Sequence, residues 1–208
     1  MFLFLCAVFV SFGCSFGKTE DQKCFPKGVE HRLLHPPDAW KLMRLFNGTF
    51  YLVYHSEDLD FKTTFPCLNV RKSRLDESSR ESVTMSMNVA PNATVILTGT
   101  KEVKTKKKDA AYKNPNMFLV QYYECEEYAW REIQLLYTDY ITCAVLKSKL
   151  LGIQMWVSKT HLENAREIPW ICALVYDLAT DKPRRVLYDW KECPQTAKGN
   201  NEINELVV

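Results

Sequence analysis

Cysteine is the residue type in this chain whose number and setting most restrict its chemistry. Eight cysteines are present. Cys6 and Cys14 lie in the apolar start of the chain, and Cys24, Cys67, Cys125, Cys143, Cys172 and Cys193 lie beyond it. No two are spaced as Cys-x-x-Cys, so the sequence forms neither a zinc knuckle nor a dithiol redox motif. An even set behind an export signal predicts disulfides and leaves no thiol over to act as a nucleophile. Which cysteine joins which is open at this level. The histidines His31, His35, His55 and His161 are scattered, so no metal site is expected. Gly-x-Ser-x-Gly, a P-loop and His-Glu-x-x-His are all missing. The chain is therefore expected to be no enzyme and to carry no cofactor.

Residues 1–12 are apolar and uncharged, and Ser15-Phe16-Gly17 supplies a small-x-small cleavage site before Lys18. Residues 1–17 read as a signal peptide, too short for a comfortable membrane span. Secretion to an oxidising, extracellular setting follows. Roughly 190 residues would remain, enough for one domain with a real core. Lys and Arg total 27 against 25 Asp and Glu, a net charge of +2. That balance predicts no nucleic-acid partner and no membrane association. The lysine-rich run 101–108 reads as a solvated hairpin tip, because acids dilute it and no aromatic is interleaved with it. Asn47-Gly-Thr49 and Asn92-Ala-Thr94 are sequons, which mark Asn47 and Asn92 as exposed glycosylation positions.

The elements that must hold these residues are mostly strands. Residues 18–37 are polar and proline-bearing and read as an irregular arm. Asp38 then caps a short helix over 38–46, whose apolar residues Trp40, Leu42, Met43 and Phe46 suit a plug at one mouth of a barrel. Short strands with turn signals between them are expected at 49–56, 64–73, 81–89, 93–103, 117–124, 130–137, 140–147 and 153–158. Thr138-Asp139 marks a hairpin. Residues 161–179 carry Ile168, Ile171, Cys172, Val175 and Leu178 at helical spacing. The fold class expected is all-β: an eight-stranded antiparallel up-and-down barrel with a short N-terminal helix and a C-terminal helix packed outside. The domain spans 38–193, and 194–208 form a flexible tail.

Particular residues sharpen this. Asp38-Ala39-Trp40-Lys41, Pro66-Cys67-Leu68-Asn69-Val70, the run from Tyr137 to Cys143, Met155-Trp156 and Pro169-Trp170-Ile171-Cys172 resemble the tick salivary lipocalins, the group containing the histamine-binding proteins. The resemblance implies that Cys143 pairs with Cys172 and Cys67 with Cys193, which leaves Cys24 to pair with Cys125. Since the helix lies outside the barrel, Cys143 must point outward, and the two-residue strand period then sends Tyr140, Thr142, Ala144 and Leu146 into the lumen. An outward Cys67 likewise sends Leu68 and Val70 inward. Alignment to the family adds Trp130, Glu132, Gln134, Leu136, Gln154 and Trp156 to the lumen, and Phe118 and Tyr122 complete the expected ligand-binding set.

One departure bears on the ligand. Amine-binding members resemble one another in a Cys-Asp-aliphatic and a Glu-Leu-Trp segment. A cationic amine in a low-dielectric cavity needs carboxylates to offset its desolvation. Here the segments read Cys143-Ala144-Val145 and Gln154-Met155-Trp156, which leaves Glu132 as the one expected lumen acid. The resemblance thus implies a monomeric secreted carrier that sequesters a small host mediator, tilted toward a leukotriene, thromboxane or sterol. Histamine or serotonin is the first alternative, and inhibition of complement or another host protein through the outer surface is the second.

Overall fold

The computed structural model describes residues 37–58, 65–78, 83–89, 97–124, 127–196 and 204–205. The expected signal peptide and arm, the expected pairing of Cys24 with Cys125, the Asn92 sequon and most of the expected tail lie outside the described residues.

The chain opens with α1 (Ala39–Leu45) and continues through β1 (Thr49–His55), β2 (Asn69–Leu75), β3 (Val83–Val89), β4 (Leu97–Lys106), β5 (Met117–Glu124), β6 (Glu127–Thr138), β7 (Cys143–Ser148) and β8 (Gly152–Ser158). Each of these strands pairs antiparallel with the next, and β1 pairs with β8, so the sheet closes on itself. Closure removes the exposed edges that an open sheet would leave. After β8 come α2 (Lys159–Ala165), α3 (Trp170–Ala179), β9 (Arg185–Val186), which adds to β1, α4 (Cys193–Thr196) and β10 (Asn204–Glu205), parallel to β4.

Alternation divides the strand residues between two cores. Tyr51, Val53, Cys143, Val145, Met155 and Val157 point out and pack beneath Leu162 of α2 and Cys172, Val175 and Tyr176 of α3. Phe50, Leu52, Phe118, Val120, Ala144 and Trp156 point in. Two disulfides clamp the outer core: Cys143–Cys172 fixes α3 to β7, and Cys67–Cys193 fixes the C-terminal segment beside β1.

α1 closes one end of the barrel. Its first turn is capped by the Asp38 carboxylate, which accepts from Lys41 N at 2.9 Å. Ala39, Leu42 and Met43 are buried. At its other end the Lys72 ammonium donates to Met43 O and Arg44 O, both at 3.1 Å, so orphan helix carbonyls meet a positive charge from β2. Gly48, at φ 80, turns the chain into β1.

Several boundaries differ from expectation. The helix expected over 161–179 is two helices. Ser158 caps the first by accepting from His161 N, Arg166 ends it in the left-handed region at φ 53, and Pro169 stands just before the second. Leu178 is exposed, and Tyr176 takes the buried place. Cys67 precedes β2 in a turn at φ 57. β4 runs on to Lys106, so the first lysines of the 101–108 run belong to a strand wall and not to a tip.

β7 starts at Cys143, so Tyr140 and Thr142 sit in the loop 139–142. The Asp139 carboxylate organises that loop. It accepts from Ile141 N at 2.9 Å, Thr142 N at 2.7 Å and Cys143 N at 3.0 Å, and also from the Thr142 hydroxyl. Burial pushes the Asp139 carboxyl up, but these hydrogen bonds outweigh it and hold it below its ordinary value of 3.8. A depressed folded value means stability that is full above the ordinary value and fades as the pH falls through Asp139's own lower one. Asp139→Ala is therefore expected to cost about 1–3 kcal/mol at pH 7. The gap from wild type should narrow only below pH 3.8, read by denaturant titration at several pH values. A gap that stays constant down to acid unfolding would refute the assignment.

Candidate functional site

The inward side chains enclose a cavity of about 1540 Å³, larger than most small-molecule sites. Its closed end is formed by Leu42, Met43 and Phe46 around α1. The cavity runs between the strands to the opposite, open end, where Phe65, Leu68 and the turn 149–151 border it.

Of the expected ligand-binding residues, the structure brings eight to this cavity on inward positions. Leu68 comes from just before β2 and Val70 from its start, Phe118 and Tyr122 from β5, Ala144 and Leu146 from β7, and Gln154 and Trp156 from β8. Gln154 is 2 % exposed, and both polar atoms of its amide are hydrogen-bonded. Its Nε2 donates to Ser148 Oγ at 2.7 Å and its Oε1 accepts from Trp156 Nε1 at 3.0 Å. This chain of contacts fixes the indole plane against the lumen wall, because a buried amide or indole without partners would carry a desolvation penalty. His55 of β1 lies opposite Gln154 in the ladder and is buried, and burial pushes its imidazole below the ordinary value.

The rest of β6 is placed differently. Trp130 and Glu132 border the cavity, yet their partners are on the outer wall. Glu132 is ion-paired with Lys106, and the Lys104 ammonium lies 4.8 Å from the Trp130 ring centroid. Leu136 packs against the outer core beneath the helices. Gln134 borders the cavity and is buried. The cause is a register shift between Leu135 and Tyr137. Counting back in twos from Thr138, the partner of Ala144, selects 136, 134, 132 and 130, but one bulged residue moves the alternation by one. The inner positions are thus Leu135, Ile133 and Arg131, whose neighbours on β5 include Phe118 and Val120.

Sequence reasoning also missed Val103 and Lys101 on β4, where a run of lysines masks the alternation of a strand. Val103 and Thr105 are buried while Glu102 and Lys106 are exposed, a strand alternation written through the lysine run. Lys101 shares the inward phase of Val103, and its ammonium lies 5.1 Å from the Tyr122 ring centroid.

The charged border of the cavity is uneven. Among the described residues its carboxylates are Glu57, Glu132 and Asp181. Glu57 is paired with Lys182, Glu132 faces outward to Lys106, and Asp181 follows α3. None of the three stands on the inner face of a barrel strand. Among the described residues no group of three His, Cys, Asp or Glu side chains could hold a metal ion.

A closed eight-stranded barrel with an outer helix and an apolar lumen defines a lipocalin, a class built to hold a small molecule. The model of the tick histamine-binding protein family matches residues 30–195. The chain belongs to that family. Among solved structures it is similar to the AM182 protein in its serotonin complex, at 18 % identity, covering 77 % of this chain and 95 % of that one with a TM-score of 0.57. It is also similar to insecticyanin from the tobacco hornworm Manduca sexta, at 14 % identity, covering 73 % and 82 % with a TM-score of 0.51. No curated protein matches the chain.

Proposed function

We propose that this protein is a secreted salivary lipocalin that sequesters a small host inflammatory mediator, and that its cargo is lipid-like, of the leukotriene, thromboxane or sterol kind. One observation carries the tilt: the inner wall holds Ala144 and a neutral Gln154, hydrogen-bonded to Ser148 and Trp156, where an amine would need carboxylates, and Glu132 is committed to Lys106 outside. Placing an ammonium in such a lumen costs several kcal/mol with no ion pair to offset it. Burying a long apolar ligand against Phe50, Phe118, Val120 and Trp156 instead gains roughly 25 cal/mol per Å².

The same reading takes residues 1–17 as a signal peptide, 38–193 as the lipocalin domain, and the exposed Asn47 and the sequon at Asn92 as glycan carriers. It takes the protein as a monomer that acts by stoichiometric capture without turnover. Family membership and the likeness to a serotonin complex favour a biogenic amine as the second reading. The exposed Trp170, Leu174 and Leu178 on α3 favour a third, in which the outer surface blocks a host protein.

Native mass spectrometry after incubation with histamine, serotonin, a leukotriene and a sterol separates the first two readings. The expected result is a 1:1 complex with a lipid mediator that survives an excess of histamine. Submicromolar histamine binding, or displacement of the lipid by stoichiometric amine, would overturn the lipid reading.

A further inference from the structure

The barrel wall is not paired to one height all the way round. β4 and β5 are joined at the closed half, where residues 103–106 meet 117–120. Toward the open end β4 continues beside β3, and β5 continues beside β6. Among the described residues the ladder between β4 and β5 goes no higher than the pair Val103 with Val120, so the two strands part above it as a V. Just above the foot of the V the Lys101 ammonium reaches across to Tyr122, 5.1 Å from the ring centroid. The side of β4 that lines the V is the kind of strand edge that takes up a further strand.

A strand already begins there. β10 pairs parallel with the top of β4, Asn204 beside Leu97 and Glu205 beside Thr98. In the sheet β10 and β3 lie on opposite sides of β4, so β10 enters the V from its open end. Carrying the register forward, Leu206 falls beside Gly99 and Val207 beside Thr100. β4 pairs with β3 without a register break from residue 97 to 103, so Gly99 shares the inward phase of Lys101 and Val103. All three border the cavity. Gly99 brings no side chain to that wall, and among the described residues no atom stands within 4 Å of where its Cβ would be. Glycine inside a strand often marks a close approach by another stretch of chain.

We propose that Leu206 and Val207, which lie outside the described residues, continue β10 down the V beside residues 99–100, and that Leu206 becomes part of the lumen wall. Residues opposite one another in a ladder face the same side of the sheet, so Leu206 points into the open space at Gly99 and Val207 points out to solvent. The ladder formed at 204–205 is what commits the V to this segment, since the next residues of the same run need only keep its direction. The tail thus supplies an apolar cargo contact that none of the eight barrel strands provides. The placement of the strand stands on the register alone. The contact with cargo rests on the lipid reading above and adds to it a wall residue from outside the barrel.

Two measurements on the whole chain test the two parts. Amide hydrogen exchange compares the wild type with Leu206→Pro/Val207→Pro, which removes both backbone donors from the proposed strand. The amides of residues 98–101 that face the V should exchange roughly fivefold faster in the variant, the scale of one lost backbone hydrogen bond. Those that face β3 should keep their protection, which also shows that the variant is folded. Equal exchange at the V would overturn the strand and the role of Leu206 with it. So would a dimer on size-exclusion chromatography that the proline variant abolishes, since the tail would then pair with a second copy. Fluorescence titration with dansyl-undecanoic acid then compares the wild type with Leu206→Asn and Val207→Asn, one chemical change on opposite faces. Leu206→Asn should weaken binding roughly tenfold, the scale of one buried leucine side chain, and Val207→Asn should leave it unchanged. Equal effects, or none from either, would overturn the cargo contact and leave the lipid reading standing. A wild type that does not bind the probe while the exchange difference is present would overturn the lipid reading and the cargo contact and leave the strand.

Discussion

Replacing Cys67 and Cys193 together by alanine is expected to lower stability by roughly 5 kcal/mol, the chain-entropy value for a loop of this size. The two residues are 126 apart in sequence, against 29 for Cys143 and Cys172, for which the same relation gives about 3.5 kcal/mol. The longer closure dominates because the unfolded chain gains more freedom when it is cut. Local contacts add to the loss. The Cys193 carbonyl accepts from the Tyr51 hydroxyl at 3.4 Å, and both cysteines are almost fully buried in the outer core. Leu187 N donates to Val53 O at 2.9 Å, so the segment that Cys193 anchors also supplies β9 to the wall. Scanning calorimetry should show a fall in the midpoint of about 10–20 °C for a domain of this size. The Cys143→Ala/Cys172→Ala protein should fall less. The reverse order, or no fall, would mean that the C-terminal segment docks well enough without its bond.

The second large effect expected is a gain of amine binding by Ala144→Asp with Gln154→Glu. Ala144 pairs with Trp156 across the ladder, and Gln154 lies two residues along β8 from that partner. The two positions are therefore diagonal neighbours, roughly 7–8 Å apart, and can flank one ammonium group. The Gln154→Glu change would be well received, since Trp156 Nε1 already donates to the side chain at this position and the Ser148 hydroxyl can rotate to donate as well. Histamine affinity should rise on the order of 100-fold, two charge-assisted contacts at the low end of their range. Without ligand the double variant should be less stable at pH 7. Burial raises the pKa of each new carboxyl, so the penalty is present when they ionise and is relieved as the pH falls. Calorimetry with histamine and serotonin reads the gain, and an unchanged affinity would show that the inner wall at these positions does not meet the ligand.

Much of this architecture was legible in the sequence, and the reasons differ by element. The barrel could be read because Val83, Met85, Met87 and Val89 alternate with polar residues and because turn signals recur at short intervals. β5 came out at its expected bounds, 117–124. The plug helix was visible in Asp38 and its apolar spacing. The two disulfides between described cysteines, Cys67–Cys193 and Cys143–Cys172, were implied by resemblance and not by spacing. The inner face of β6 was not legible. A bulge has no composition of its own, yet the one at Leu136 reverses the phase of every residue toward Trp130. Arg131 was hidden by that reversal. Lys101 was hidden by its neighbours, since a run of lysines suggests a loop until Val103 and Thr105 are seen to be buried between them. The helix break at Arg166 was missed because helical spacing of apolar residues says nothing about a single left-handed residue.

The division of each strand between an outer core and an inner wall has an evolutionary consequence. Both disulfides between described cysteines, the contacts of α2 and α3 with the barrel, and the aromatic pair Tyr51 with Tyr188 belong to the outward residues. Foldability is therefore vested in one set of positions and cargo choice in the set interleaved with it. Substitutions such as Ala144 for an acid, or Lys101 in a lysine-rich strand, can drift without touching the clamps that hold the shell. A lineage of such barrels could re-tool its lumen residue by residue while inheriting an unaltered container, and sequence divergence within it should concentrate on alternate positions of the same strands.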